Sequence, residues 1–167
     1  MISSKISEGI NGHISIPGDK SISHRSIIIP SIAEGPCEIS NILKSADVMH
    51  TIDALKLLGV KIDEPKDKVI IYGQGIESLK KPSKEIYLGN SGTSARLLTG
   101  LLSSQNFDSI LIGDKSLSLR PMKRITDPLK QMDANIHTNN GRMPIKIYGK
   151  PLTNCEICVD IPSAQIK

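Results

Sequence analysis

The sequence PGDKSISHR at residues 17–25 is the stretch from which fold and function can be inferred. A segment that alternates like a strand, 13–16, runs into its Pro-Gly turn, and an apolar segment follows. Between Lys20 and Arg25 the stretch supplies two cations, two hydroxyl groups and a histidine. Backbone N–H groups at a helix start, together with fixed cations, favour the binding of an oxyanion. We therefore expect an anion site where this turn enters a helix.

The composition is that of a globular protein with small anionic ligands. The 167 residues are 38% hydrophobic and 23% charged, with a net charge of +4. No Trp, one Phe and three Tyr offer few platforms for base stacking. No apolar run approaches the roughly 20 residues of a membrane helix, and the first residues lack the apolar core of a secretory signal. We expect a cytoplasmic protein with neither nucleic acid nor a membrane as its partner.

The three cysteines predict neither a disulfide framework nor a metal site. Cys155 and Cys158 form one CxxC motif, but the sequence contains no second pair. His137 is not spaced as a further ligand. We expect these cysteines to be reduced and structural.

Hydrophobic periodicity predicts helices and short strands in alternation. The first helix covers residues 21–33, and Pro30 is expected to kink it or end it early. Asp47 is expected to cap the second helix, which Gly59 stops, and Pro121 to start the last. The remaining predictions are strands at 37–40, 60–62, 69–72, 86–88, 109–112, 144–147 and 157–159, a turn at 73–75 and a helix through 97–102.

The order of these elements repeats along the chain. Residues 18–25 return as 89–96, residues 53–62 as 127–136 and residues 72–73 as 148–149, at offsets of 71, 74 and 76. Two copies of one α/β unit of about 70–75 residues are predicted, each too small to bury its sheet face well alone. A third copy is expected to begin near Pro162, which suggests a piece of a longer protein.

Three glycine-bearing turns each deliver an arginine at or near a predicted helix start. The arginines are Arg25, Arg96 and Arg120. Guanidinium groups match phosphate and carboxylate bidentately, whereas Lys20 acts as a compact charge. One such turn would indicate only a capped helix, but three of the same build favour an anion-binding cleft. Arg96 is the weakest candidate, since it lies a turn into its helix.

Two other polar residues are predicted to be structural. His24 lies beside a lysine and an arginine, but we expect it to pack rather than to carry protons. Asp47 and His50 resemble a catalytic dyad, yet no Ser or Cys nucleophile accompanies them at a suitable turn. A helix cap explains Asp47 better.

At residues 17–25, 88–98 and 113–128 the chain resembles the 5-enolpyruvylshikimate-3-phosphate synthase family. The matching phrases are PGDKSISHR, LGNSGTSARLLTGLL and GDKSLSLRPMKRITDPL, with PSAQIK at the end. The resemblance implies an α/β (α+β) fold of the inside-out α/β barrel type, with helices inside and sheets facing out. The chain would hold two folding units and the start of a third. Residues 1–20 would belong with a second lobe, and 21–167 would form an incomplete N-terminal lobe.

The resemblance also implies a reaction. The family transfers the enolpyruvyl group of phosphoenolpyruvate to the 5-hydroxyl of shikimate 3-phosphate and releases phosphate, a step in chorismate and aromatic amino-acid biosynthesis. The implied enzyme is a monomer that uses no metal or organic cofactor and is inhibited by glyphosate. Its C-terminal lobe would be a further partner of this chain.

The site residues are carried over by matched position. For shikimate 3-phosphate they are Lys20, Ser21, Arg25, Ser163, Ala164 and Gln165. For phosphoenolpyruvate they are Lys20, Asn90, Gly92, Arg120 and Gln165. The acid/base groups of the family lie in its second half, and no acid here matches them, so we expect weak binding and no turnover by this chain alone.

Two alternatives remain open from the sequence. One is the related enolpyruvyl transferase that acts on UDP-N-acetylglucosamine. That enzyme would be expected to have a Lys-Asn-Ala type of N-terminal motif and a catalytic loop cysteine. The other is a non-catalytic anion-binding or assembly module that retains the cationic turns.

Overall fold

The computed structural model describes residue 9 and residues 11–157. Its helices are α1 (Lys20–Ile32), α2 (Ala46–Leu57), α3 (Gly92–Ser103), α4 (Lys115–Ser118) and α5 (Lys123–Gln131). Its strands are β1 (Glu34–Ser40), β2 (Lys61–Asp63), β3 (Lys68–Gln74), β4 (Ile86–Tyr87), β5 (Ser109–Ile112), β6 (Asn135–Asn139) and β7 (Arg142–Tyr148). None of the helices in this part of the chain has the length and apolar character needed to cross a membrane.

The two sheets follow one plan. The first has the order β1-β3-β2 with antiparallel neighbours. The second has the order β4-β5-β7-β6, in which β5, β7 and β6 pair in the same antiparallel way and β4 adds a parallel edge strand. The internal repeat predicted from the sequence is therefore confirmed as two α/β units, residues 20–74 and 86–148.

Helices α2 and α5 end in the same way, 74 residues apart. Gly59 and Asp133 have φ of 89° and 66°, in the left-handed region that closes a helix. The backbone N–H groups of these residues and of their successors donate to helix carbonyls in the pairs Gly59–Lys56, Val60–Leu55, Asp133–Lys130 and Ala134–Leu129. The prediction that Gly59 stops the second helix is confirmed.

The helices lie between the sheets, and one apolar core spans both units. Strand β7 alternates strictly between buried and exposed residues, so one of its faces packs inward and the other meets solvent. The inward residues of the sheets include Val69, Ile71, Met143, Ile145 and Ile147, and those of the helices include Ile27, Ile52, Leu55, Leu98 and Leu102. The expected arrangement of inner helices and outer sheets is confirmed.

Residues 13–16 do not form the predicted strand. Ile14 and Ile16 are 87% and 73% exposed, and no described strand pairs with them. The repeat aligns these residues with β4, which is ordered because it pairs with β5. A strand without a partner leaves its backbone groups to water, so an extended segment is the outcome. Whether residues 1–20 belong with another lobe stays a prediction.

Three local predictions are corrected by the structure, and the strand at 157–159 is largely untested. Helix α1 continues two residues past Pro30, and Gly73 belongs to β3 instead of a turn. No helix begins at Pro121, because the side chain of Asp114 accepts the N–H of Leu117 and starts the short helix α4, after which α5 begins at Lys123. Ile157 lies in no strand, and residues 158–159 and the third copy near Pro162 lie outside the described residues.

Gly73 and Gly149 occupy equivalent positions, and we predict that neither tolerates a methyl group. A Cβ at Gly73 would overlap the carbonyl oxygens of Pro30 and Ala33, and one at Gly149 those of Gln105 and Phe107. Each Gly→Ala variant should lower the free energy of unfolding by about 1–3 kcal/mol, measured by urea denaturation, because backbone must shift.

Gly100 supplies the matched control. It lies in α3 with open space around the position of a Cβ. Gly100→Ala should raise the free energy of unfolding by about 0.5–1 kcal/mol through helix propensity. Equal stability of the Gly73→Ala variant and the wild type would contradict this account of the repeat.

Candidate anion-binding site

Three helices bring their N-terminal turns together at one place. The Nδ1 atom of His24 in α1 lies 2.8 Å from Oγ1 of Thr51 in α2, which lies 2.6 Å from Oγ of Ser94 in α3. The hydroxyl of Ser91, the N-cap of α3, lies 2.6 Å from that of Ser94. All four side chains are buried, and all lie within the first two turns of their helices or at the cap. The positive ends of three helix dipoles therefore point to one region.

The first wall of this region is the start of α1. Asp19 caps the helix by accepting the N–H of Ile22 at 2.7 Å, and Lys20 is its first residue. The Nζ atom of Lys20 lies 2.9 Å from Oδ2 of Asp47, with the lysine side chain 52% exposed. Ser21 and Arg25 are exposed on the same helix. This wall offers two cations and a hydroxyl to a ligand in solvent.

Asp47 is not the helix cap that the sequence predicted. The N-cap of α2 is Ser45, whose side chain caps no N–H group, and Asp47 lies in the first turn. A carboxylate there interacts favourably with the helix dipole and remains available to Lys20. Asp47 therefore holds Lys20 at the mouth of the site.

The second wall is the turn that starts α3. Arg120 donates from Nη2 to Oδ1 of Asn90, and Arg96 donates from Nη1 to the carbonyl oxygen of Gly92 at 3.1 Å. A Cβ at Gly92 would lie 3.0 Å from Nη1 of Arg96 and 3.1 Å from Nη1 of Arg120. A side chain at position 92 would therefore crowd the two guanidinium groups that lie side by side over this backbone.

The charges of this second wall repel one another. Burial lowers the pKa of Arg96, and the neighbouring Arg120 and then Arg124 lower it further. Within residues 11–157 none of these three arginines forms an ion pair with a carboxylate. A bound anion would relieve the repulsion, so the cluster is suited to hold phosphate or carboxylate.

The predicted site residues are only partly brought into contact. Asn90, Gly92 and Arg120 meet directly, and Lys20 is linked to them through Asp47 and the buried side chains of α2 and α3. No contact among the described residues joins Ser21 or Arg25 to Arg120. Arg120 itself lies between α4 and α5, not at a helix start. Ser163, Ala164 and Gln165 lie outside the described residues.

Sequence reasoning undervalued two arginines. Arg96 was the weakest candidate, yet its guanidinium group lies beside that of Arg120. The sequence pattern does not single out Arg124, which lies in α5, four residues after Arg120 in RPMKR. The prediction that His24 packs is confirmed, since it is fully buried.

Inner helices, outer sheets and cations at converging helix starts define the class of protein. It is an α/β repeat protein with a candidate site for a small polyanion. Within the described ranges, no three His, Cys, Asp or Glu side chains are grouped so as to hold a metal ion.

The comparisons name the family. A family model described as EPSP synthase (3-phosphoshikimate 1-carboxyvinyltransferase) matches residues 4–167. A 3-phosphoshikimate 1-carboxyvinyltransferase of Vesicomyosocius okutanii is 49% identical over 162 residues, which are 96% of this chain and 37% of that protein. One of Lactococcus lactis subsp. cremoris is 46% identical over 164 residues, 96% of this chain and 38% of that protein.

A solved structure agrees with this assignment. EPSP synthase from Acinetobacter baumannii superimposes with a TM-score of 0.88 at 45% identity, covering 93% of this chain and 36% of that one. The chain belongs to the EPSP synthase family. It spans about a third of the length of the curated relatives that it matches.

Burial of His24 predicts a pH-dependent stability. Burial lowers the pKa of His24 below its ordinary value of 6.5, Asp47 partly opposes this, and Lys20 adds to it. The neutral ring therefore stabilises the fold fully above pH 6.5, and this contribution is lost as the pH falls from 6.5 towards the lowered pKa. From pH 7.5 to 5.5 the loss is at most about 1.4 kcal/mol, the limit for one such proton.

The control for this prediction is His24→Asn, which keeps a hydrogen-bonding atom near the position of Nδ1. We expect the free energy of unfolding, measured by urea denaturation, to fall less for His24→Asn than for the wild type over this pH range. Parallel pH profiles for the two proteins would contradict the prediction.

Proposed function

We propose that this chain supplies the substrate-binding half of an enzyme that transfers the enolpyruvyl group of phosphoenolpyruvate to the 5-hydroxyl of shikimate 3-phosphate. The observation that supports this most directly is the cluster of cations at converging helix starts. Lys20 lies on one side, and Arg96 and Arg120 lie against Gly92 on the other. Both substrates carry several negative charges, so two cationic walls match two anions that repel each other.

The wall at α1 is proposed to hold shikimate 3-phosphate. Arg25 projects into solvent one turn beyond Ser21, and Lys20 begins the helix. A phosphate ester there would meet the guanidinium group of Arg25, the hydroxyl of Ser21 and the ammonium group of Lys20. Ser163, Ala164 and Gln165 are proposed to complete this subsite, as the family resemblance implies.

The wall at α3 is proposed to hold phosphoenolpyruvate. Asn90 orients Arg120 by accepting its N–H, and the guanidinium groups of Arg96 and Arg120 lie against Gly92, where both could meet an anion. Lys20 and Gln165 are proposed to reach this substrate as well. The position of Arg96 supports adding it to the subsite as a second cation.

The described residues bind and orient rather than transfer protons. Asp47 is engaged by Lys20, and burial lowers the pKa of His24, which favours its neutral form. We propose that the groups for acid/base catalysis come from the part of the family enzyme that this chain does not match. The same resemblance supports a cytoplasmic, monomeric enzyme without a metal or organic cofactor, with glyphosate as an inhibitor of the complete protein.

Binding of shikimate 3-phosphate tests the first subsite. Isothermal titration calorimetry on the 167-residue chain should detect binding, and Arg25→Ala should weaken it about tenfold or more, because a charge-assisted hydrogen bond to phosphate is lost. Arg142→Ala is the matched control, since Arg142 is an exposed arginine of β7 on the second sheet. Equal weakening by both variants would contradict the role of Arg25.

An assay of turnover tests whether this chain binds the substrates without catalysing the reaction. Incubation of the chain with shikimate 3-phosphate and phosphoenolpyruvate should release no phosphate above background in a colorimetric assay. The expected reason is that the binding half orients the substrates without an acid or base to move protons. Steady phosphate release that Arg120→Ala abolishes would show that the chain is catalytic by itself.

A further inference from the structure

His24 is the buried titratable group that the proposed function does not use. Its side chain is fully buried, and its Nε2 atom has no hydrogen-bond partner among the described residues. Burying a polar ring with one unpaired nitrogen costs free energy, whereas an apolar side chain would fill the same space without that cost. The one hydrogen bond that the ring does make, between Nδ1 and Thr51, must therefore offset this cost.

The buried ring and hydroxyls form a continuous series of hydrogen bonds. A buried acceptor without a partner is tolerated better than a buried N–H without one, which favours an unprotonated Nε2 and an Nδ1–H that donates to Thr51 at 2.8 Å. The hydroxyl of Thr51 donates to the carbonyl oxygen of Asp47 at 3.3 Å and lies 2.6 Å from the hydroxyl of Ser94. The hydroxyls of Ser94 and Ser91 lie 2.6 Å apart, and either of them can donate.

This relay of four side chains, His24–Thr51–Ser94–Ser91, joins the two walls of the anion site. Its first member lies one turn after Lys20 on α1. Its last member is the N-cap of α3, between Asn90 and Gly92, and accepts the backbone N–H of Ser94 at 3.2 Å. The relay therefore connects His24 to the turn that carries the second wall.

We propose that His24 is a positioning residue of the anion site, which holds the N-terminal turn of α3 in place relative to Lys20 through the relay. Only the identity of the anion rests on the proposed function. A second proton would leave Nδ1–H as a donor but would place a buried N–H without a described partner at Nε2 and a charge near Lys20, so protonation disfavours the buried ring position on which the relay depends. The charged groups that act on the ring are Asp47 of α2 and Lys20 of α1, and α3 contributes the hydroxyl of Ser94 at 3.4 Å from Nδ1.

A ligand-free titration tests the positioning directly. In ¹H–¹⁵N spectra of the chain between pH 7.5 and 5, the ring nitrogens of His24 should show the Nδ1–H tautomer above the midpoint. The backbone signals of Asn90 and Gly92 should shift with the midpoint of His24. In Thr51→Val, which keeps the shape and removes the hydroxyl, these two signals should cease to follow His24. Signals that still follow it in this variant, or that have another midpoint in the wild type, would overturn the proposal.

Binding supplies a second, independent readout. Calorimetry with shikimate 3-phosphate at pH 7.5 should show affinity reduced about tenfold in Thr51→Val and in His24→Leu, the cost of one lost hydrogen bond in a positioned site. His24→Asn should restore it to within about threefold, which a purely structural role would not require. Wild-type affinity in Thr51→Val would count against positioning.

The two proposals fail in different ways. If the wild-type chain binds no shikimate 3-phosphate, the proposed function is wrong, while the titration of Asn90 and Gly92 still decides the role of His24. If circular dichroism shows that His24→Leu does not fold, the Thr51→Val variant is used for both the spectroscopic titration and the calorimetry.

Discussion

Four buried side chains, those of His24, Thr51, Ser91 and Ser94, connect the first two turns of three helices at the junction of the two α/β units. Neither unit buries its sheet face alone, so the helices must pack together, and an apolar interface would fix their spacing only loosely. Hydrogen bonds of 2.6–2.8 Å between short side chains fix it much more tightly. The position of every cation in the site depends on this junction, because each is carried by a helix start or by a neighbouring turn.

The electrostatics of the site follow from the same constraint. Three helix dipoles and the cations of both walls raise the local potential, and only Lys20 has a described carboxylate partner, Asp47. Arg96 and Arg120 lie together over Gly92 at a cost in repulsion that a stable fold alone would not require. We infer that this cost is offset when an anion binds. A site of this kind is preorganised for polyanions and is at its least stable when empty.

The fold was largely predictable because the repeat is visible in the sequence. Tyr72-Gly73 and Tyr148-Gly149 mark one position in each unit, and the structure shows why each glycine is required there. The strand at 13–16 could not be predicted correctly from its pattern, since a strand depends on its partner. The cations at Lys20 and Arg120 were visible as motifs, but the pairing of Arg96 with Arg120 is a tertiary contact across 24 residues. The relay was hidden for the same reason, since Thr51 and Ser94 carry no local signal.

The central claim is that anions bind where the starts of α1 and α3 converge. A crystal structure of the chain with shikimate 3-phosphate tests it most directly. The account predicts the phosphate ester beside Lys20, Ser21 and Arg25, with the carbon ring of shikimate 3-phosphate facing the turn at Asn90 and Gly92. It would be contradicted by a ligand that leaves this region empty and binds instead on the outer face of the second sheet, in the groove of about 440 Å³ lined by His137, Lys146 and Tyr148.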